Sequence, residues 1–227
     1  VPAGLQIQDI SGLESFTRPH PHYRIKPETT AASGPTKNSS AKKIASTANP
    51  NVGSGPSGNY IGDDFRNAYA PGTALTGAGQ SVALVQFDGY LASDIAAYEQ
   101  LTSRPNVPLQ NVLIGGFNGL PTGSGGEVEV SLDIEMIISM APGVTKIIVY
   151  EGSPSNFDPN SVLNQIAVDN AARQVSCSWG WTGGPNITTD QIFQQMAAQG
   201  QTFFDASGDS DAFLPGEIDS PFSFGEP

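Results

Sequence analysis

Gly125-Gly126-Glu127-Val128-Glu129-Val130-Ser131-Leu132-Asp133-Ile134-Glu135-Met136-Ile137-Ile138-Ser139-Met140-Ala141-Pro142-Gly143 is the stretch that decides how the rest of the chain is read. Ser124 and two glycines precede it and Pro142-Gly143 closes it. The run between those stops has no helix breaker and is long enough for about four helical turns. Apolar residues stand on nearly every side, which predicts a buried helix. Glu129 and Asp133 are four residues apart, so both carboxyls share one face, one turn apart. Two acids on a buried helix are costly unless something uses them. The plainer account is that acids in a first helical turn favour the helix dipole. Glu127 and Glu135 are expected to do that or to sit in solvent.

Around this helix the chain alternates strands with helices. Ser81–Phe87, Val112–Ile114, Lys146–Tyr150, Val175–Trp179 and Thr202–Ala206 are apolar, strand-like runs. Helices are expected near 63–69, from Ser93-Asp94 to about Leu101, over Asn160–Arg173, and from Thr188 to about Gln199. Strands apolar throughout, alternating with helices, predict an α/β fold with a doubly wound, mostly parallel sheet covered on both faces. In such sheets ligands sit beyond the carboxyl ends of the strands. Those ends are Gln86-Phe87-Asp88-Gly89, Tyr150-Glu151-Gly152, Ser178-Trp179-Gly180 and Ser207-Gly208-Asp209-Ser210. Ordinary turn chemistry explains the same Gly, Ser and Asp content.

Composition narrows the classes. Residues 1–60 hold six basic residues against three acids, and residues 61–227 hold four against 19. So acidic a body repels nucleic acid and loses self-repulsion in acid. No run of ~18 apolar residues is present, so no membrane span is expected. Cys177 is the single cysteine; in its apolar strand it is expected to be a buried structural thiol rather than a nucleophile or metal ligand. Residues 26–58 are rich in Ser, Thr, Ala, Pro, Gly, Asn and Lys, the composition of a flexible linker. No GxxxxGK[ST], GxGxxG after a strand, CxxC or HExxH occurs. The two histidines are His20 and His22, both near the N-terminus. A hydrolase built on this body would take its general base from a carboxylate, and the Glu129/Asp133 pair offers one.

Glu129-Val130-Ser131-Leu132-Asp133 with Ala141-Pro142-Gly143, then Ser176-Cys177-Ser178-Trp179-Gly180, then Ala206-Ser207-Gly208-Asp209-Ser210, resembles the sedolisin family of serine-carboxyl peptidases, kumamolisin-like in flavour. Tyr69 with Gly77-Ala78-Gly79-Gln80-Ser81-Val82-Ala83 resembles the entry to the same catalytic domain. The resemblance implies a subtilisin-like sheet, a propeptide tail and activation linker over 1–57, and the N-terminal portion of a peptidase domain over 58–227. It implies Glu129 as general base for a serine, Asp133 as the acid that orients Glu129 and shares its proton, and Asp209 as the protonated oxyanion-side acid. Ser178, Trp179 and Gly180 would line the substrate cleft. The implied partners are polypeptide substrates, the chain's own propeptide and a further C-terminal portion of the catalytic domain. A secreted, acid-acting enzyme is the expectation.

Two departures stand out. The family's nucleophilic serine belongs to a Gly-Thr-Ser motif followed by a calcium site, and no Gly-Thr-Ser occurs in residues 1–227. Serine and calcium ligands are therefore expected beyond this chain, which alone should be inactive. Gln86 stands where kumamolisin-like members carry a glutamate; an amide there can still hydrogen-bond Glu129 but cannot share a proton, which would alter the pH profile. The alternative is a catalytically inert fragment or pseudo-enzyme that binds peptides or a partner. A flavodoxin-like ligand-binding domain fits the alternation of elements but not the paired acids.

Overall fold

In the computed structural model, residues 20–21, 53–181 and 186–206 are described. Among them the elements run β1 (His20–Pro21), α1 (Asp63–Tyr69), β2 (Ser81–Gln86), α2 (Ala92–Leu101), β3 (Leu109–Leu113), α3 (Gly126–Met140), β4 (Lys146–Glu151), α4 (Pro159–Asp169), β5 (Gln174–Cys177), β6 (Trp179–Gly180), α5 (Ile187–Ala198) and β7 (Thr202–Asp205). Five strands form one sheet in the order β3-β4-β2-β5-β7, every neighbouring pair parallel. The fold is α/β, as the continuous apolar strands predict.

The register separates the two faces of the sheet. Gln86 lies opposite Glu151, and Leu84 lies opposite Val149 and Ser176. In a parallel ladder, opposite residues point the same way, and side chains alternate along each strand. The Gln86 side carries α3, with α1 and α2 packed against it. The Val85–Tyr150–Cys177 side carries α4, where the Tyr150 hydroxyl bonds Asp169, and α5, whose Phe193 ring meets Phe203 of β7 at 4.8 Å. Leu84, Val85, Ile147, Ile148, Val149, Val130, Ile134 and Ile138 are fully buried between these layers.

Local chemistry sets the helix ends. Asp158 caps α4 by accepting from the Ser161 N–H, and Asn186 caps α5 by accepting from Thr188 and Thr189 N–H. The α5 cap therefore lies ahead of the expected Thr188 start. The expected helix to Arg173 stops at Asp169, because Asn170 takes the left-handed conformation (φ 45°) that asparagine tolerates and that ends a helix. Ser93-Asp94 does not cap α2, which begins at Ala92 with no side-chain cap. The strand expected at 175–179 is two short pieces, β5 and β6, broken at Ser178. Gly125 enters α3 at φ 96°, a conformation open to glycine.

α3 is not buried all round. Val128 and Leu132 are exposed, whereas Glu129, Asp133, Val130, Ile134 and Ile138 are buried. Glu135 is half-buried: burial, with the nearby Asp94 charge, pushes its carboxyl up to about 7. No helix among the described residues is long and apolar enough to cross a membrane.

Candidate active site

Asp133 faces the carboxyl ends of β2 and β5, where Gln86 and Ser178 stand, and Glu129 lies one helical turn before it. Glu129 is 1% exposed and Asp133 is 8% exposed. Helical spacing brings the two carboxyls together, and they share a hydrogen bond. Such a bond exists only while one proton is held between the two groups.

Three more side chains complete the cluster. Gln86 is wholly buried, and its Nε2 donates to Asp133 Oδ2 at 2.6 Å. The Trp179 indole Nε1 donates to Gln86 Oε1 at 2.7 Å. Indole N–H is a donor only, so it fixes the amide orientation: Oε1 must face Trp179 and Nε2 must face Asp133. The Ser178 hydroxyl donates to Asp133 Oδ1 at 2.7 Å. Both Asp133 oxygens thus have donors. Burial pushes the Asp133 carboxyl up to about 6, against the hydrogen bonds from Ser178, Gln86 and Glu129 that favour its charged form. The outcome is a carboxyl that changes protonation in mild acid and whose orientation is held from three sides.

The Gln86 amide meets Asp133, the helical neighbour of the Glu129 that the sequence reading allowed it to bond. The break between β5 and β6 explains how Ser178 reaches the site. Ser178 continues the inward alternation of Ser176, and the chain then turns so that Trp179 packs edge-on against Phe87 (centroids 5.7 Å apart, planes at 86°). Cys177 points to the other face and is buried. Trp179 and Gly180 pair antiparallel with the N-terminal segment, His20 opposite Gly180 and Pro21 opposite Trp179. Their strand edge therefore holds an extended segment of polypeptide. Asp209 lies outside the described residues, as do Ser207, Ser210, Ser220 and Ser223.

Two further acids lie at strand ends on the same face, Asp88 after β2 and Glu151 at the end of β4, both wholly buried. Their strand ends were legible in the sequence, but nothing there marked them as a pair. Among the described residues no group of three or more His, Cys, Asp or Glu side chains is gathered in a way that could hold a metal ion.

The fold and its acid cluster define an α/β protein whose carboxyl site sits at the ends of parallel strands, beside an edge that accepts an extended chain. No family model matches the sequence. Comparison with known proteins finds 26% identity to sedolisin of Pseudomonas sp. (strain 101) over 220 residues, 91% of this chain and 34% of the relative. Kumamolisin of Bacillus sp. (strain MN-32) is 30% identical over 228 residues, 92% of this chain and 37% of that protein. Xanthomonalisin of Xanthomonas sp. (strain T-22) is 25% identical over 235 residues, 94% of this chain and 26% of that protein. Among solved structures, Pseudomonas sedolisin, a serine-carboxyl proteinase complexed with two molecules of pseudo-iodotyrostatin, superposes with a TM-score of 0.53 at 26% identity, covering 61% of this chain and 41% of that one. The chain belongs to the sedolisin family of serine-carboxyl peptidases. It spans about a third of the length of the curated relatives it matches.

Proposed function

We propose that this chain supplies the acid–base half of an acid-acting, secreted serine endopeptidase. The observation that carries the reading is the buried Glu129–Asp133 pair, with Gln86 and Ser178 fixing Asp133 and Trp179 fixing Gln86. In this reading Glu129 takes the proton from a serine hydroxyl as that oxygen attacks the scissile carbonyl, and later returns it to the leaving amine. Asp133 orients Glu129 and accommodates the proton. Asp209, protonated at working pH, donates to the developing oxyanion. The edge at Ser178, Trp179 and Gly180 holds the substrate backbone extended. The serine comes from a Gly-Thr-Ser segment that residues 1–227 do not contain. Calcium, if the whole enzyme uses it, takes no part in these steps.

The pairing of His20–Pro21 with Trp179–Gly180 supports the propeptide reading of residues 1–57, because a segment lying on the substrate edge keeps substrate out. The same pairing would serve an inert peptide-binding module, so the experiment must test chemistry. In a polypeptide that includes the Gly-Thr-Ser serine, Glu129→Ala and Asp209→Ala should each abolish peptide cleavage at pH 4 while the protein stays folded. Near-normal turnover in either variant removes the triad assignment. Acid activation should also nick the chain within residues 26–57; an active enzyme with that segment intact would remove the linker assignment.

A further inference from the structure

Asp88 and Glu151 have opposite hydrogen-bond environments. Asp88 accepts four bonds: Oδ1 from the Gly89 and Thr122 N–H groups at 2.8 and 2.9 Å, Oδ2 from the Thr122 and Ser124 hydroxyls at 2.8 and 3.0 Å. Three of the four come from the glycine-rich loop 115–125 that leads into α3. The first residue of α3 closes on the same group. A methyl added at Gly126 would stand 2.8 Å from Asp88 Oδ2 and 2.9 Å from the Trp179 ring. Asp88 therefore fixes where the helix carrying Glu129 and Asp133 begins, and does so against the tryptophan that orients Gln86.

Glu151 has no such donors. Both of its carboxyl oxygens are buried without a hydrogen-bond partner. Loop 115–125 lies over it: a methyl at Gly119 would stand 3.0 Å from Glu151 Oε2. The ionisable groups whose charges interact with it are Asp88 and Tyr90, from the segment after β2. β3 and loop 115–125 bring no ionisable side chain. The acids of the first turn of α3 are engaged elsewhere, Glu127 by the Gly125 N–H and Glu129 by Asp133. No cation among these groups offsets a second negative charge. A bare carboxyl in a dry site keeps its proton.

We propose that Asp88 and Glu151 are a second acid pair, one richly hydrogen-bonded and one bare, which positions the start of the catalytic helix and holds it there only while Glu151 stays protonated. Ionising Glu151 would set two like charges beneath the loop and loosen its hold on α3. Burial first, then the Asp88 charge, pushes the Glu151 carboxyl from the ordinary 4.5 up to about 8. A carboxyl raised in the fold contributes stability that is complete below about 4.5 and is lost as pH rises to about 8. The loop would thus give the enzyme an upper pH limit separate from titration of the Glu129–Asp133 pair. The effect on turnover rests on the peptidase reading; the effect on the fold does not.

The test compares the 227-residue chain with its Glu151→Gln and Asp88→Asn variants, by unfolding from pH 4 to pH 8 and by amide hydrogen exchange over residues 117–126. Glu151→Gln should be close to the parent at pH 4 and lose less stability towards pH 8, its unfolding constant rising up to about tenfold less per pH unit across that window. Asp88→Asn should speed exchange over 117–126 by about tenfold or more already at pH 5, since an NH2 replaces the oxygen that accepts from the Thr122 and Ser124 hydroxyls. If Asp88→Asn does not fold, the Thr122→Val/Ser124→Ala double variant removes two of the four donors and should speed the same amides. An unchanged pH slope in Glu151→Gln, or unchanged exchange in the clamp variants, overturns the proposal. In the complete peptidase, Glu151→Gln should move the alkaline limb of the pH–rate profile upward. If unfolding and exchange behave as expected while the complete protein shows no cleavage at any pH, the peptidase reading fails and the acid pair stands.

Discussion

The Glu129–Asp133 pair on α3 and the Asp88–Glu151 pair at strand ends lie on the same side of one sheet, both buried, yet their hydrogen bonding differs. In the first, Asp133 takes donors from Gln86 and Ser178 and shares a hydrogen bond with Glu129, and burial pushes its carboxyl up to about 6. In the second, every donor goes to Asp88 and none to Glu151, whose carboxyl rises to about 8. Burial alone raises a carboxyl, and donors bring it back. A group returned to mild acid is useful for moving protons. A group left bare is useful only as a neutral side chain.

Three substitutions would break this comparison at different depths, and a fourth should leave it intact. Leu84→Ala removes the fully buried floor of the sheet between the faces. It should cost about 2–5 kcal/mol and weaken both pairs together, seen as lower stability in denaturant at every pH. Gly126→Ala wedges a methyl between Asp88 and Trp179, touching both pairs at once. About 1–3 kcal/mol is expected, with changed Trp fluorescence as the indole shifts. Trp179→Phe keeps the aromatic packing on Phe87 but strands the buried Gln86 Oε1, at roughly 1–3 kcal/mol. It should alter the titration of Asp133, followed by carboxyl NMR, and leave exchange over 117–126 unchanged. Glu127→Gln should matter least, about 0.3–1 kcal/mol of helix-end electrostatics on thermal unfolding, with neither pair disturbed.

The parent chain should itself lose stability as pH rises. Asp133, Glu135, Asp205 and Glu151 are all held above their ordinary values, to about 6, 7, 7 and 8. Each favours the fold fully at or below ordinary carboxyl pKa values, near 4, and loses that contribution as pH rises through its folded value. A midpoint of thermal unfolding that climbs from pH 4 to pH 8 would contradict this.

Continuous apolar strands and a breaker-free run between glycines and Pro142 made the sheet and α3 legible, because apolar strands covered on both faces leave few other arrangements. The Glu129–Asp133 pair was legible from helical spacing, and Ser178-Trp179-Gly180 from its place at a strand end. The role of Gln86 was half legible: an amide beside acids was expected, but its choice of Asp133 depends on Trp179 claiming the other end. Asp88 and Glu151 were not legible as a pair. Their separation of 63 positions is closed only by the parallel register that sets β2 beside β4, and their opposite fates follow from the path of loop 115–125. Pattern could not distinguish one helix N-terminus from its neighbours either: Asn186, not Thr188, carries the α5 cap, because its side chain reaches two N–H groups at once.

The most direct test of the central claim is Glu129→Gln in the complete polypeptide, assayed for peptide cleavage at pH 4. The amide keeps the shape of the buried side chain and cannot accept the serine proton. Cleavage should fall by about 10²–10⁴-fold with thermal stability close to the parent. Turnover within about twofold of the parent would show that Glu129 is not the base.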